Sequence, residues 1–213
     1  MASTFQDRSG PVRCAAILLV RHGEARGGGE GRYIGVTDPP LSARGERQVS
    51  RLAMRLSAEH VERVMSSDRR RALMTAEVIS RVHRLGVEVR SELRELNFGT
   101  WEGASFEELM LRDRVRFRSW LAQPWRHRPP GGESLASLWR RARALWEDLC
   151  AAPEGSTTIV IGHGGSLRAM LGVALGLPSK TLLSWELTPG SISCLGVTHG
   201  KAWLRYANDT CHL

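Results

Sequence analysis

Four short polar segments of this sequence carry side chains that suit the chemistry of a phosphate group. They are 21–24, with Arg-His-Gly-Glu, 66–72, with three consecutive arginines, 92–99, with two glutamates, and 162–165, with Gly-His-Gly-Gly. Arginine binds phosphoryl oxygens with two parallel hydrogen bonds, and an imidazole can act as a nucleophile. A carboxylic acid can protonate a leaving oxygen, and a glycine-rich helix start points backbone N–H groups at an anion. These residue types suit phosphoryl transfer through a phosphohistidine, provided that the fold brings the four segments together.

The residues between these segments predict a fold that does so. Each segment follows a short apolar run that is typical of a buried strand, at residues 14–20, 61–65, 87–89 and 157–161. Apolar residues at helical spacing follow Ser42, run through Ala72, Ala76, Ile79 and Val82, follow Ser134, and run from Leu167 to Leu175. Residues 192–197 and 202–206 are expected to form a hairpin. Strands that alternate with helices predict a three-layer α/β/α sandwich around a mostly parallel sheet, with ligands bound beyond the carboxyl ends of its strands.

Composition places the chain among globular proteins. It has 213 residues, of which 42% are hydrophobic and 24% are charged, which excludes a disordered or fibrous protein. We expect a loose leader at residues 1–12 and a single domain at 13–213. A less regular stretch at about 96–132, rich in Arg, Trp and Pro, is expected to form an inserted lid, which we call the lid segment.

The charge pattern indicates what kind of partner the chain binds. The net charge of +8 suits an anionic partner, but the arginines are scattered rather than gathered in a tail. This distribution favours a phosphorylated small molecule over nucleic acid, and a homodimer is left open. No apolar stretch approaches the roughly 18 residues of a membrane span, so no membrane partner is expected. The four cysteines are expected to be free thiols in the cytoplasm, and the absence of zinc-like His/Cys spacing predicts no metal and no cofactor.

At these motifs the sequence resembles the histidine phosphatase superfamily, also called phosphoglycerate-mutase-like, from about residue 15 to 206. The family's Arg-His-Gly hallmark corresponds to residues 21–23, and its Ser-x-x-x-Arg-Ala signature corresponds to residues 67–72. The resemblance implies that His22 is the phosphorylated nucleophile and that Glu95, rather than Glu92, donates the proton. It further implies three residues that bind the phosphoryl group, namely Arg21, Arg71 and His163. Many members carry Ser or Thr after the hallmark and Asn three residues later, where this chain has Ala25 and Gly28.

The expected substrate contacts extend beyond the phosphate. Arg32, Tyr33, Trp101 and Gly164 are predicted to contact the substrate in addition to Arg21, Arg71 and His163. Arg26 or Arg32 is a candidate to replace the missing asparagine. The lid tryptophans Trp101, Trp120 and Trp125 either pack the lid segment or stack on a flat leaving group, and the arginines from 112 to 128 either form a solvated face or cover an anionic substrate.

The resemblance also indicates a reaction. The length of 213 residues favours a hydrolase over a mutase, because mutases generally carry longer insertions. Segments 31–35, 98–103 and 129–134 resemble the α-ribazole phosphatase branch, and broad-specificity bacterial phosphatases share them. We therefore expect a metal-independent phosphomonoester hydrolase, acting either on α-ribazole 5'-phosphate in cobalamin biosynthesis or on many small substrates. A phosphoglycerate mutase is an alternative. A non-catalytic protein that binds phosphorylated ligands is another, although such a protein needs neither a nucleophile nor an acid.

Overall fold

A computed structural model describes residues 14–28 and 31–213 and contains one six-stranded sheet. The strands are β1 (Ala15–Arg21), β2 (Arg63–Ser66), β3 (Val87–Val89), β4 (Thr157–Gly162), β5 (Ile192–Thr198) and β6 (Lys201–Asp209). Their order across the sheet is β3-β2-β4-β1-β5-β6. The first four neighbours are parallel, and β5 and β6 complete the sheet as an antiparallel hairpin. The mostly parallel sheet and the terminal hairpin that the sequence predicts are thus present.

Six α-helices accompany the sheet in the described part of the chain. They are α1 (Ala43–Leu56), α2 (Arg70–His83), α3 (Phe106–Arg112), α4 (Arg114–Ala122), α5 (Leu135–Leu149) and α6 (Gly164–Ala174). Ser42 and Ser134 cap α1 and α5, because each hydroxyl accepts a hydrogen bond from the backbone N–H three residues later. Both predicted helix starts are therefore confirmed.

The helices cover both faces of the sheet. Successive side chains of a strand point to opposite faces, and β1 uses both. Ile17 and Leu19 pack in one cluster with apolar residues of α5 and α6. Leu18 and Val20 pack in another with residues of α1 and α2. This arrangement is the predicted three-layer α/β/α sandwich.

Two details of the predicted elements were wrong. Strand β2 begins at Arg63 rather than at residue 61, because Val61 packs beside α2 without joining the ladder. Val82 was expected to face inward but is 46% exposed. The buried face of α2 is centred on Ala72, Ala76 and Ile79, and Val82 lies at the edge of that face. The predicted leader at residues 1–12 lies outside the described residues.

The lid segment is more regular than its composition suggested. It contains α3 and α4 as well as a single 3₁₀ turn at Gly99–Trp101. Ser105 starts α3 through a reciprocal capping box with Glu108, which is a start signal that can be read from the sequence. Apolar residues of both helices pack against the first turns of α5 in a third cluster, separate from the two that flank the sheet.

The topology fixes where a ligand can bind. Strands β1 and β4 are parallel neighbours, and Arg21 pairs with Gly162 at their carboxyl ends. The helix that follows β1 packs on one face of the sheet and the helix that follows β4 packs on the other. The chain therefore opens a crevice between these two strand ends, which is where open α/β sheets bind ligands.

Two further observations concern membrane-spanning helices and the cysteines. None of the helices in residues 14–28 and 31–213 has the length and apolar character needed to cross a bilayer. The cysteines Cys14, Cys150, Cys194 and Cys211 are all free thiols.

Candidate active site

Two histidines meet at the crevice. His22 and His163 are the first residues after β1 and β4, so the strand register sets them side by side with ring centroids 4.9 Å apart. Both side chains are buried. Nε of Arg71 lies between the rings, 3.2 Å from Nε2 of His22 and 3.2 Å from Nδ1 of His163.

The hydrogen bonds of His22 assign its protonation. Its Nδ1 lies 2.6 Å from the carbonyl oxygen of Gly23, which can only accept, so Nδ1 carries the proton and donates. Nε2 then presents its lone pair toward Arg71. Burial lowers the pKa of His22 well below 6.5, and the positive charges of Arg71 and Arg21 lower it further. The imidazole is therefore neutral near pH 7, with Nε2 in the form that a nucleophile requires.

His163 is bonded on both edges. Its Nδ1 accepts from Arg71, so its Nε2 carries the proton and donates to Oγ of Ser67 at 2.9 Å. Burial lowers the pKa of His163 well below 6.5, and the positive charge of Arg71 lowers it further. The side chain is 1% exposed, and its hydrogen bond from Nε of Arg71 helps to fix that guanidinium. Its predicted hydrogen bond to a phosphoryl group stays a prediction.

Arg71 is held by a loop that precedes α1. Its Nη1 donates to the carbonyl of Thr37 at 2.9 Å and its Nη2 donates to the carbonyl of Ile34 at 3.3 Å. The side chain is only 1% exposed, and burial lowers its pKa. The guanidinium is fixed in position before any substrate arrives.

Glu102 holds the other side of the same loop. Its carboxylate accepts hydrogen bonds from the backbone N–H groups of Gly35, Val36 and Thr37 and from the Thr37 hydroxyl. The loop is thus bound through its carbonyls by Arg71 and through its amides by Glu102. Sequence reasoning missed this residue, because Glu102 was noted only as part of a subfamily pattern.

Arg21 carries an unused donor at the crevice. Its Nη1 donates to the carbonyl of Leu187. Its Nε is buried and has no hydrogen-bond partner among the residues that the structure describes. Burial lowers the pKa of Arg21, and the nearby Glu95 opposes that shift. A buried, unpaired N–H of a guanidinium is costly, and a bound anion would satisfy it.

The predicted proton donor, Glu95, sits across the crevice. Its Oε2 accepts from the N–H of Gly165 at 2.9 Å, and its Oε1 accepts from the N–H of Leu96 at 2.8 Å. Glycine at 165 leaves room for this carboxyl group, because a Cβ there would lie 2.2 Å from Oε1 of Glu95 and would displace it. The start of α6 therefore orients the carboxyl group.

Arg141 fixes the backbone of the loop that carries Glu95. It donates hydrogen bonds to the carbonyls of Glu92, Arg94 and Glu95. Glu133 holds the guanidinium itself through two hydrogen bonds of 2.9 and 3.0 Å. This role could not be predicted from the sequence, because Arg141 looks like its arginine neighbours on α5.

Several of these groups line one cavity of about 200 Å³, although His163 is not among its lining residues. Of the predicted site residues, it brings together Arg21, His22, Arg32, Tyr33, Arg71, Glu95 and Gly164. Ala25 and Gly28, where family members have polar side chains, also line it. Arg32 donates to the carbonyl of Gly103 at 2.8 Å and pairs with Glu108 at 3.1 Å. Arg168, one turn into α6, lines the cavity too and was missed from the sequence.

The structure corrects the prediction that Trp101 contacts the substrate. Its side chain is 1% exposed and is not among the cavity-lining residues. Its Nε1 donates to Asp113 at 2.9 Å, and its ring packs edge-on against Phe117 and Trp120. Trp101 is therefore a packing residue of the lid segment, and Phe98 is the lid aromatic that lines the cavity. The arginines from 112 to 128 are exposed and do not line it.

No three His, Cys, Asp or Glu side chains are placed to hold a metal ion in the described ranges 14–28 and 31–213. The predicted independence from metal stays a prediction.

Comparison with known proteins identifies the family. The family model "Histidine phosphatase superfamily (branch 1)" matches residues 17–210. Phosphoserine phosphatase 1 of Hydrogenobacter thermophilus is 34% identical over 197 residues, which cover 92% of this chain and 93% of that protein. The probable phosphoglycerate mutase GpmB of Yersinia enterocolitica is 32% identical over 202 residues, covering 92% and 94%. The α-ribazole phosphatase of Shigella flexneri has a crystal structure that matches with a TM-score of 0.84 at 26% identity, covering 91% and 96%. The chain therefore belongs to the histidine phosphatase superfamily and is a phosphatase.

Proposed function

We propose that this phosphatase hydrolyses phosphomonoesters of small molecules through a phosphohistidine on His22, without a metal ion. The observation that carries the proposal is the state of His22: a neutral ring whose unprotonated Nε2 faces the crevice and accepts a hydrogen bond from Arg71. Arg21 and the buried Arg71 lie beside it, and the buried Nε of Arg21 has no partner among the described residues. A nucleophile beside two arginines, one of which has an unsatisfied N–H, suits attack on a bound phosphoryl group.

The first half of the reaction transfers the phosphoryl group to the enzyme. Arg21 and Arg71 bind the negative oxygens, which replaces the charge that a metal would supply. Nε2 of His22 attacks phosphorus, and the bond from phosphorus to the alcohol oxygen breaks. Protonated Glu95 gives its proton to that oxygen, and the alcohol leaves.

The second half returns the enzyme to its starting state. Glu95, now a carboxylate, takes a proton from a water molecule. The oxygen of that water attacks phosphorus, the bond from phosphorus to Nε2 breaks, and its electron pair returns to His22. Inorganic phosphate then leaves, so one residue acts first as an acid and then as a base.

The size of the cavity supports a compact leaving group. Its volume of about 200 Å³ lies below the roughly 300–1,000 Å³ of sites that enclose drug-sized ligands. A small alcohol esterified to phosphate fits this volume. The broad class of small phosphomonoesters is therefore our first candidate.

α-Ribazole 5'-phosphate is the second candidate, supported by an apolar wall. Tyr33 and Phe98 pack edge-to-face at 5.1 Å beside Glu95. They continue into an apolar recess of about 120 Å³ that reaches Trp120, Leu135 and Leu138. A flat aromatic base can pack on such a wall. The likeness to the Shigella flexneri α-ribazole phosphatase points the same way.

A substrate panel tests the proposal. Phosphate release is measured from p-nitrophenyl phosphate, O-phosphoserine, 3-phosphoglycerate and α-ribazole 5'-phosphate, with and without excess chelator. We expect turnover that survives the chelator and falls at least about a thousandfold in His22→Asn. His60→Asn is the matched control, because that side chain is 92% exposed. Turnover that chelator abolishes and magnesium restores would contradict the proposal. So would interconversion of 2- and 3-phosphoglycerate without release of phosphate, which would instead indicate a mutase.

A further inference from the structure

Arg168 lies beside the proposed phosphate site without belonging to the predicted catalytic set. It follows Gly164 by four residues on α6 and therefore projects from the same face of the helix. A Cβ added to Gly164 would lie 3.5 Å from Nη1 of Arg168 and 3.6 Å from Cζ of Arg21. The two guanidinium groups thus flank Gly164 at the wall of the cavity.

The hydrogen bonds of Arg168 leave its outer edge unused. Nε donates to the carbonyl of Trp185 at 2.6 Å, which fixes the direction of the side chain. Across residues 14–28 and 31–213, its terminal nitrogens have no hydrogen-bond partner, and no carboxylate lies within 4 Å of it. Glu95 and Glu186 act on it only from further away. The half-buried cation therefore presents two free nitrogens in the geometry that matches a carboxylate.

The charges around the cavity leave this cation without a counterion. Four arginines and two glutamates line the cavity, and His22 is neutral. Arg32 pairs with Glu108 at the rim, and Glu24 pairs with Arg44, which lies outside the cavity lining, at 3.5 Å. A phosphoryl dianion matches Arg21 and Arg71, and Glu95 is uncharged when it acts as the acid. One positive charge remains, on Arg168, and a single carboxylate on the substrate would balance it.

The position of Arg168 relative to Glu95 shows which part of the substrate it faces. Arg168 and Glu95 line both the main cavity and the apolar recess beside it. Glu95, the proposed acid, protonates the leaving oxygen. Residues that lie near Glu95 on the side away from the phosphate therefore face the leaving alcohol. Arg168 therefore lies on the side of the leaving group.

We infer that Arg168 is a specificity-determining residue that binds a carboxylate on the leaving alcohol, so that the substrate class is the phosphomonoesters of hydroxy acids. The inference rests on the hydrolysis proposed above. It favours a compact, anionic leaving group over the uncharged nucleoside of α-ribazole 5'-phosphate.

The test uses two substrates that differ only in the carboxylate: 3-phosphoglycerate and glycerol 3-phosphate. Hydrogen bonds to charged groups correspond to roughly 10- to 150-fold in binding. We expect wild-type kcat/KM to favour 3-phosphoglycerate at least about tenfold, and Arg168→Met to bring the ratio of the two values to about one. Arg168→Lys should retain part of the preference. Arg143→Met, which removes the same charge from an exposed position of α5, should leave the ratio unchanged.

Binding to an inactive enzyme separates this inference from the proposed reaction. Calorimetry on His22→Asn and on His22→Asn with Arg168→Met compares the same two ligands without turnover. A preference for 3-phosphoglycerate that disappears with Arg168 supports the inference even if the phosphohistidine mechanism fails. A wild type without the preference, a preference that persists in Arg168→Met, or an equal loss for both ligands would overturn it.

Discussion

Replacement of Arg141 by leucine removes the side chain that holds the proton-donor loop in place. Arg141 donates to three carbonyls of that loop, those of Glu92, Arg94 and Glu95. It does not touch the cavity, so it is a positioning residue for Glu95. Without it, the loop is expected to shift and carry the carboxyl group away from the leaving oxygen.

The structure sets the size of the effect. The side chain of Glu133 is 17% exposed and would lose its cation. Breaking a buried pair costs about 3–5 kcal/mol, and the remaining solvent contact places this pair near 3 kcal/mol of unfolding free energy. General acid catalysis contributes about 10²- to 10⁴-fold, so a misplaced acid should slow an alkyl phosphate by about 10- to 100-fold more than p-nitrophenyl phosphate. The nitrophenolate barely needs a proton.

A series of substituted phenyl phosphates and one alkyl phosphate measures this selectivity. In Arg141→Leu, kcat/KM should depend more steeply on the basicity of the leaving group. The double variant Arg141→Leu with Glu133→Leu removes the unpaired charge, so it should recover stability in urea but keep the steep dependence. Equal slowing of all substrates, or recovery of the wild-type dependence in the double variant, would refute a positioning role.

Three further predictions concern single groups of the site. Gly165→Ala places a Cβ 2.2 Å from Oε1 of Glu95, so it should slow alkyl phosphates at least about tenfold more than p-nitrophenyl phosphate; a uniform change would contradict this. Glu102→Gln should lower the unfolding free energy by about 1–3 kcal/mol in urea, because a charged acceptor of several loop amides is lost; unchanged stability would contradict it. The lowered pKa values of His22 and His163 mean that the folded state binds fewer protons than the unfolded state below pH 6.5. Unfolding free energy should therefore fall as pH drops below that value, by about 1.4 kcal/mol per pH unit for each histidine until its folded pKa is reached; a flat urea profile there, or an unaltered slope when both are replaced by glutamine, would count against it.

The centre of the site could be predicted because its residues directly follow strands. Apolar runs located the strand ends, and parallel neighbours bring their carboxyl ends to one edge. The pairing of Arg21 with Gly162 then sets His22 beside His163. These positions depend on the local pattern of apolar residues and on the strand–helix topology, and both can be inferred from the sequence.

The supporting residues could not be predicted because they depend on tertiary contacts. Arg140, Arg141 and Arg143 look alike in the sequence, and only the loop packed beside α5 distinguishes Arg141. Arg168 differs from a surface cation only because the segment around Trp185 turns its side chain along the cavity wall.

Trp101 shows the same limit for an aromatic residue. Its position in an irregular stretch does not reveal which way the ring points. Asp113, twelve residues later, satisfies its N–H and fixes the ring inside the lid segment. By contrast, Ser105 and Glu108 form a capping-box pattern from which the start of α3 could have been predicted.

Trapping the covalent intermediate tests the central claim most directly. Enzyme is mixed with phosphate-labelled substrate, quenched in base within milliseconds, digested and analysed by mass spectrometry. The account predicts label on the peptide that contains His22, stable in base and released by acid, with more label in Glu95→Gln because that side chain cannot take the proton from water. It predicts no label in His22→Asn. Label on another residue, label that persists in His22→Asn, or turnover without any labelled protein would contradict the account.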